Sequence, residues 1–179
     1  MAGAASMRVV ALDVATVTGI CVRLPGEAPL AWSIDLGSGK SEDARFSAAL
    51  VLTHELLAKY KPDLLAIEAP VGGPKASSLL IGLVACIRGC CFNRRVPVQT
   101  YPINSIRRHF MGRALALKDY PGVSAHQAKR LMKQDVMRRC RMLGWEVPDD
   151  NAADACALAD VACATLGAQT IPAGGLFRG

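Results

Sequence analysis

Long apolar runs are missing from this sequence of 179 residues. None reaches the ~20 residues that cross a bilayer as a helix, which excludes a membrane span. Met1 to Ser6 has neither the basic start nor the apolar centre of a secretory signal. A cytoplasmic protein with no membrane partner is therefore expected. A disulfide framework is missing too. The seven cysteines are odd in number and irregularly spaced, which fits reduced thiols serving as small hydrophobes. Cys86, Cys90 and Cys91 lack a second ligand pair and fall in an apolar helical run, which argues against a zinc site. Charge is not scarce enough, nor apolar content low enough, for disorder. The length suits one domain, 1–179, with its own core, and flexible tails are expected at 1–7 and 168–179.

The charge that is present is unevenly placed. Between residues 88 and 145 there are thirteen Lys or Arg against two acids, Asp119 and Asp135, leaving eight of the 21 basic and thirteen of the 15 acidic residues elsewhere. A solvated basic surface explains such a block; so does a face that binds a polyanion, nucleic acid above all.

The strongest local signal is Val9-Val10-Ala11-Leu12-Asp13, an apolar strand that finishes on a carboxylate. Burying that charge costs several kcal/mol, on the order of the penalty for any unpaired buried ion, unless a partner is supplied. Asp13 is either a turn residue bonding the backbone at Ala15 or Thr16, or a cation ligand. Strands at 19–24 and 30–36 follow through short connections, which makes an antiparallel meander. The period then becomes helical over 41–60, with Phe46, Leu50, Leu57 and Tyr60 as its stripe, Val51 and Leu56 flanking it, Ser41 as cap and Pro62 beyond the end. Residues 64–68 repeat the first oddity: Leu64-Leu65-Ala66-Ile67 runs into Glu68. A strand reached by a helical crossover is parallel to the first, so both acids emerge at one sheet edge, where a divalent cation would relieve their repulsion.

A helix is predicted over 77–92, with Gly82 and Gly89 allowing close approach, then a fifth strand over 96–101 whose Pro97 suits a sheet edge. Arg107, Arg108 and Arg113 follow. Ser124 and Gln127 form a capping box for a helix to 143 with Ala128, Met132, Val136, Cys140 and Leu143 on one side, and Arg130, Lys133, Arg138 and Arg141 mostly on the other. The last helix, small and apolar from 152 to 164, begins at Asp149-Asp150-Asn151-Ala152-Ala153-Asp154. Asp150 and Asp154 share a face and Asp160 is rotated away. Asp150 is also placed to cap this helix, and the two roles compete.

These acids in this order resemble the RNase H-like superfamily and, within it, the RuvC-type Holliday junction resolvases. The matching segments are Leu12-Asp13-Val14-Ala15-Thr16-Val17-Thr18-Gly19, Ala66-Ile67-Glu68 and Asp150-Asn151-Ala152-Ala153-Asp154-Ala155, with Ile106-Arg107, Gly112-Arg113, Lys129 and Lys133 resembling the family's basic segment. The resemblance implies an α/β fold with a five-stranded mixed sheet, three antiparallel strands then two parallel, flanked by helices. It implies metal-dependent cleavage of branched DNA by a homodimer, with two Mg2+ or Mn2+ ions per site held by Asp13, Glu68, Asp150 and Asp154, and with Lys129 or Lys133 near the scissile phosphate. Arg107, Arg108, Arg113, Lys129, Arg130 and Lys133 would hold the DNA backbone. Two departures stand out. No aromatic residue follows Glu68 in Ala69-Pro70-Val71, and the family's third acid position, three before the last, is Asn151, leaving Asp149, Asp150 and Asn151 as alternatives. A non-cleaving nucleic-acid-binding protein, or a nuclease for flaps or RNA–DNA hybrids, would share these features. An actin-like or sugar-kinase ATPase shares only the first acid and needs about twice the length, so no nucleotide cofactor is expected.

Overall fold

Short apolar runs, continuous and buried on both faces in β1 and β4, give the strands β1 (Val9–Asp13), β2 (Val17–Arg23), β3 (Leu30–Asp35), β4 (Leu64–Glu68) and β5 (Val98–Tyr101). Apolar residues at helical period give α1 (Glu42–Tyr60), α2 (Ser78–Asn93), α3 (Ile103–Met111), α4 (Ala125–Met142) and α5 (Asp150–Gln169). The computed structural model describes residues 7–70 and 77–169. The expected tails lie outside the described residues except for Met7, Ala168 and Gln169, the last two of which continue α5 instead of beginning a tail, and most of the Gly/Pro loop after Glu68 also lies outside them. The sheet order is β3-β2-β1-β4-β5. Strands β1, β2 and β3 pair antiparallel, and β4 and β5 join β1 in parallel, so the mixed sheet has the form expected from the sequence. Pro97 stands just outside β5, an edge strand. It offers only its carbonyl, which accepts from the Leu65 amide at 2.9 Å, and the strand accordingly starts at Val98, two residues later than expected.

The strand pleat divides the core. Val10, Leu12, Ile20, Val22, Leu65 and Ile67 face α1 and α2. Val9, Ala11, Cys21, Leu64 and Ala66 face α3, α4 and α5. Since Asp13 continues the Val9, Ala11 series and Glu68 the Leu64, Ala66 series, the same alternation carries both carboxylates to the α5 side. Alanines at 11 and 66 keep that side low, and α5 meets it with Ala152, Ala153, Ala155, Ala159 and Ala162, all buried. Gly19 completes the close approach. A Cβ there would lie 2.0 Å from the Asn151 carbonyl oxygen and 2.3 Å from its carbon, a backbone obstacle that no rotamer change removes.

Helix caps follow the chemistry of the sequence. Ser41 accepts from the Ala44 amide at 3.3 Å, and Ser124 and Gln127 form the capping box of α4. The buried stripe of α1 is Ala49, Leu52, Thr53, Leu56 and Leu57; Leu56 and Leu57 are buried as predicted, but Leu50 and Val51 are exposed and Ala49, Leu52 and Thr53 take the core side in that turn. Gly82 receives the Phe46 ring, whose carbons would lie 2.5 Å from a Cβ, whereas Gly89 faces open space and does not bring α1 and α2 together. On α4, Ala128, Met132, Val136 and Cys140 are buried as expected, but Leu143 lies past the last helical turn and is exposed. Helix α3 is not among the expected elements. Its signals are present in Pro102 at the N-cap, the apolar series Ile103, Ile106 and Phe110, and the left-handed Gly112 that ends it at φ 72°. All seven cysteines are free thiols.

Candidate functional site

Four acids from three distant segments come within electrostatic reach of one another where β1 and β4 end. The parallel register pairs Leu12 with Ile67, so Asp13 and Glu68 follow side by side. The turn after β1 does not need Asp13: Thr18 accepts from the Ala15 amide at 3.3 Å and donates its hydroxyl to the Ala15 carbonyl at 2.7 Å. Across from the sheet edge, α5 brings Asp150 and Asp154 on successive turns of one face. The cap of α5 belongs to Asp149, whose Oδ1 accepts from the Ala152 amide at 2.8 Å and from the Ser33 hydroxyl at 2.7 Å. That removes Asp149 from the cluster and relieves Asp150 of the competing capping role. Asp160, on the other side of α5, meets His109 at 3.1 Å.

The charges feel one another. Burial, and then the neighbouring carboxylates, push Glu68 up to about 7, with Asp13 and Asp154 as the neighbours. Burial, with Asp13 beside it, raises Asp154 to about 7. Asp13 is raised to about 6, again chiefly by burial, with Lys133 opposing. Asp150 moves the other way, held below the ordinary carboxylate range by its hydrogen bond from Lys133, whose Nζ lies 2.6 Å from Oδ2. Burial lowers the Lys133 ammonium, but Asp150, Asp154 and Asp13 outweigh it and raise its pKa. Three neighbouring carboxyls that resist ionisation in isolation, together with an all-oxygen donor set, suit a hard divalent cation. Among the described residues, however, no three acidic, histidine or cysteine side chains close on one point tightly enough to hold an ion. The chain's own ammonium already stands on one of the acids.

The basic residues separate into two groups. Lys133, on the more basic side of its helix and one of the two lysines expected near the scissile phosphate, turns in to Asp150. Arg107 also turns in, and its charge bears on Asp13, Glu68 and Asp154. Its Nε is buried with no hydrogen-bond partner among the described residues, while one terminal nitrogen reaches Met132 Sδ at 3.9 Å. Arg108, Lys129 and Arg130 stay exposed. Arg113 pairs with Asp119 at 3.5 Å and Arg138 with Asp135 at 2.9 Å. The inward turn of Arg107 is hidden in the sequence, because it flanks a buried helix stripe and a periodic count assigns flanking cations to solvent. A cavity of about 630 Å³ lined by Ala31, Arg141, Trp145 and Pro148 touches none of the four acids.

No protein-family profile and no curated protein sequence matches the chain. Solved structures do. A Thermus thermophilus RuvC structure superposes at a TM-score of 0.65 with 20% identity over 90% of this chain and 97% of the other. The T. thermophilus RuvC solved in complex with Holliday junction substrate gives 0.68, with 19% identity over 92% and 97%. This chain has the RuvC fold. The yeast mitochondrial Holliday junction resolvase is more distant at 0.55, with 12% identity over 92% of this chain and 80% of that one. The RuvC fold accounts for the end-to-end order of elements, from the meander through two parallel strands to the closing helix. Among the described residues, no helix is long and apolar enough to cross a membrane.

Proposed function

We propose that the protein is a divalent-metal-dependent endonuclease that cuts DNA at four-way junctions. The observation that carries this reading is the meeting of Asp13, Glu68, Asp150 and Asp154, drawn from β1, β4 and α5, as one electrostatically coupled cluster on a fold shared with junction resolvases. A bound pair of Mg2+ or Mn2+ ions supplies neutralisation of charge on the attacking and leaving oxygens of in-line phosphodiester hydrolysis. Asp13, whose charge is coupled to Glu68, Asp150 and Asp154, would be one of the residues holding the ions. Glu68, Asp150 and Asp154 complete an oxygen shell. Lys133 offsets charge at the scissile phosphate, and Arg107, turned inward with its Nε buried, offsets part of the negative charge of Asp13, Glu68 and Asp154. Arg108, Lys129 and Arg130, exposed along α3 and α4, hold the backbone of the DNA without reading its sequence. Arg113 acts partly through Asp119, fixing the segment between α3 and α4.

Two cuts on symmetric strands call for a homodimer. On α2 the outward positions Ile81, Ala85, Gly89 and Phe92 form a stripe at helical spacing, with Phe92 at 82% exposure and Gly89 opening onto free space. Such a stripe lets a second α2 approach closely.

The test is incubation of the purified chain with labelled four-way junction, flap and RNA–DNA hybrid, in Mg2+ or Mn2+ and in EDTA. Paired cuts in the junction, dependent on metal and lost in Asp13→Asn and Asp154→Asn, are expected. Cleavage undiminished in EDTA or in either variant overturns the assignment. Faster cutting of flap or hybrid reassigns the substrate, and binding without cutting identifies a non-cleaving DNA-binding protein.

A further inference from the structure

Lys133 and the third acid compete for one position. The Lys133 ammonium and Asp150 Oδ2 lie 2.6 Å apart, each side chain about 40% exposed (40% and 39%). The pair is therefore open to exchange with solvent on one side. The backbone beneath Lys133 is not free to move. Met132 and Val136 are buried against α5 and neighbouring core residues, and Ser124 and Gln127 lock the start of α4. Any change at Lys133 is confined to its flexible four-carbon stem, which reaches from Asp150 toward the open side of the carboxylate cluster. Asp150 cannot complete a divalent ion's oxygen shell while Oδ2 holds an ammonium, and a doubly charged ion beside Asp13 and Asp154 repels Lys133.

We propose that Lys133 is a resident stand-in for the divalent cation, expelled from Asp150 when metal enters and handed to the phosphate of bound DNA. The proposal rests on the metal-nuclease reading and adds to it an order of events: the charge used on the substrate becomes available only after the site is loaded. Metal-free protein then keeps its acids partly neutralised, and its ammonium is withheld from DNA. Arg107, whose Nε has no partner among the described residues, does not exchange in this way and stays as the fixed cation of the site.

The experiment is calorimetric titration of Mn2+ into the full chain, wild type against Lys133→Met, Lys133→Gln and Lys129→Met, at ionic strengths of about 0.1 M and about 0.5 M, the second chosen to screen long-range charge. Lys133→Met and Lys133→Gln should bind Mn2+ about tenfold more tightly than wild type at both ionic strengths, the order expected when one charge-assisted hydrogen bond no longer has to be broken. Lys129→Met, exposed one turn earlier on α4, should match wild type at the higher ionic strength. At saturating Mn2+ both Lys133 variants should cut the junction at least tenfold more slowly than wild type. Equal or weaker Mn2+ binding by the Lys133 variants overturns the displacement, and undiminished turnover overturns the transfer to phosphate. If the wild type itself binds no Mn2+, the metal-nuclease reading fails first, a result distinct from either.

Discussion

Replacing Asp154 by Asn should stabilise the metal-free protein while abolishing its cleavage. The folded chain raises this carboxyl from 3.8 to about 7, chiefly by burial and then by Asp13. A shift of about three units, at ~1.4 kcal/mol each, sets an upper limit of about 4 kcal/mol on what the ionised carboxylate costs the folded state. Part of that repulsion is shared with Asp13 and relaxes when either carboxyl takes up a proton, so removing one charge should return about 1–3 kcal/mol. The sign follows from the raised pKa. Between pH 3.8 and about 7 the folded state binds more protons at Asp154 than the unfolded chain, so this contribution is present below the window and is lost as pH rises through it. Thermal denaturation in EDTA at pH 4 and pH 8 reads it directly. Asp154→Asn should melt about 2–10 °C above wild type at pH 8, with the difference shrinking toward zero at pH 4. Saturating Mg2+ should raise the wild-type midpoint and close the gap. A variant no more stable at pH 8, or equally stabilised at both pH values, refutes the claim that the ionised Asp154 carboxylate is costly to the folded chain.

Three further outcomes follow from other parts of the molecule. Gly19→Ala sets a methyl 2.0 Å from the Asn151 carbonyl and should lower stability by about 2–3 kcal/mol, together with cleavage, because the first turn of α5 must lift from β2; a midpoint within error of wild type would contradict the close approach. Phe92→Glu on α2 should convert a dimer to a monomer in light scattering, with little change in melting temperature, since Phe92 is almost fully exposed within the chain; a dimer that survives places the interface elsewhere. Neutralising Arg108, Lys129 and Arg130 together should weaken junction binding and make log K less steeply dependent on salt, by about one in slope for each phosphate left without its cation, measured by anisotropy; an unchanged salt slope removes these residues from the DNA-binding face.

The strand ends at Asp13 and Glu68 are legible because charge at the close of an apolar run is costly and local in sequence, and parallel pairing of consecutive β–α–β segments is nearly obligatory. The caps at Ser41 and Ser124 are legible for the same local reason. The long α5 reads as a helix pressed on the sheet because only small residues occupy most of its surface. Directions around a helix, to within one residue, are not legible. The buried stripe of α1 shifts to Ala49, Leu52 and Leu56, and Lys133 lies at the border between buried and solvated faces, where its nearest acid decides which way it turns. Helical spacing favours Asp150 over Asp149 as the partner of Asp154, but it does not say which of the two caps the helix. Ser33, 116 residues away, separates them by holding Asp149 at the cap. Helix α3 escapes a periodic reading because its nine residues offer barely two apolar turns among cations.

The central claim is that Asp13, Glu68, Asp150 and Asp154 gather divalent cations. Crystals of the wild-type chain soaked in Mn2+ and measured at the manganese edge test it most directly. Anomalous peaks are expected between Asp13 and Glu68 on one side and the α5 acids on the other, with Lys133 displaced from Asp150. Soaked crystals with manganese bound elsewhere, or with none beside Asp13, would contradict the claim.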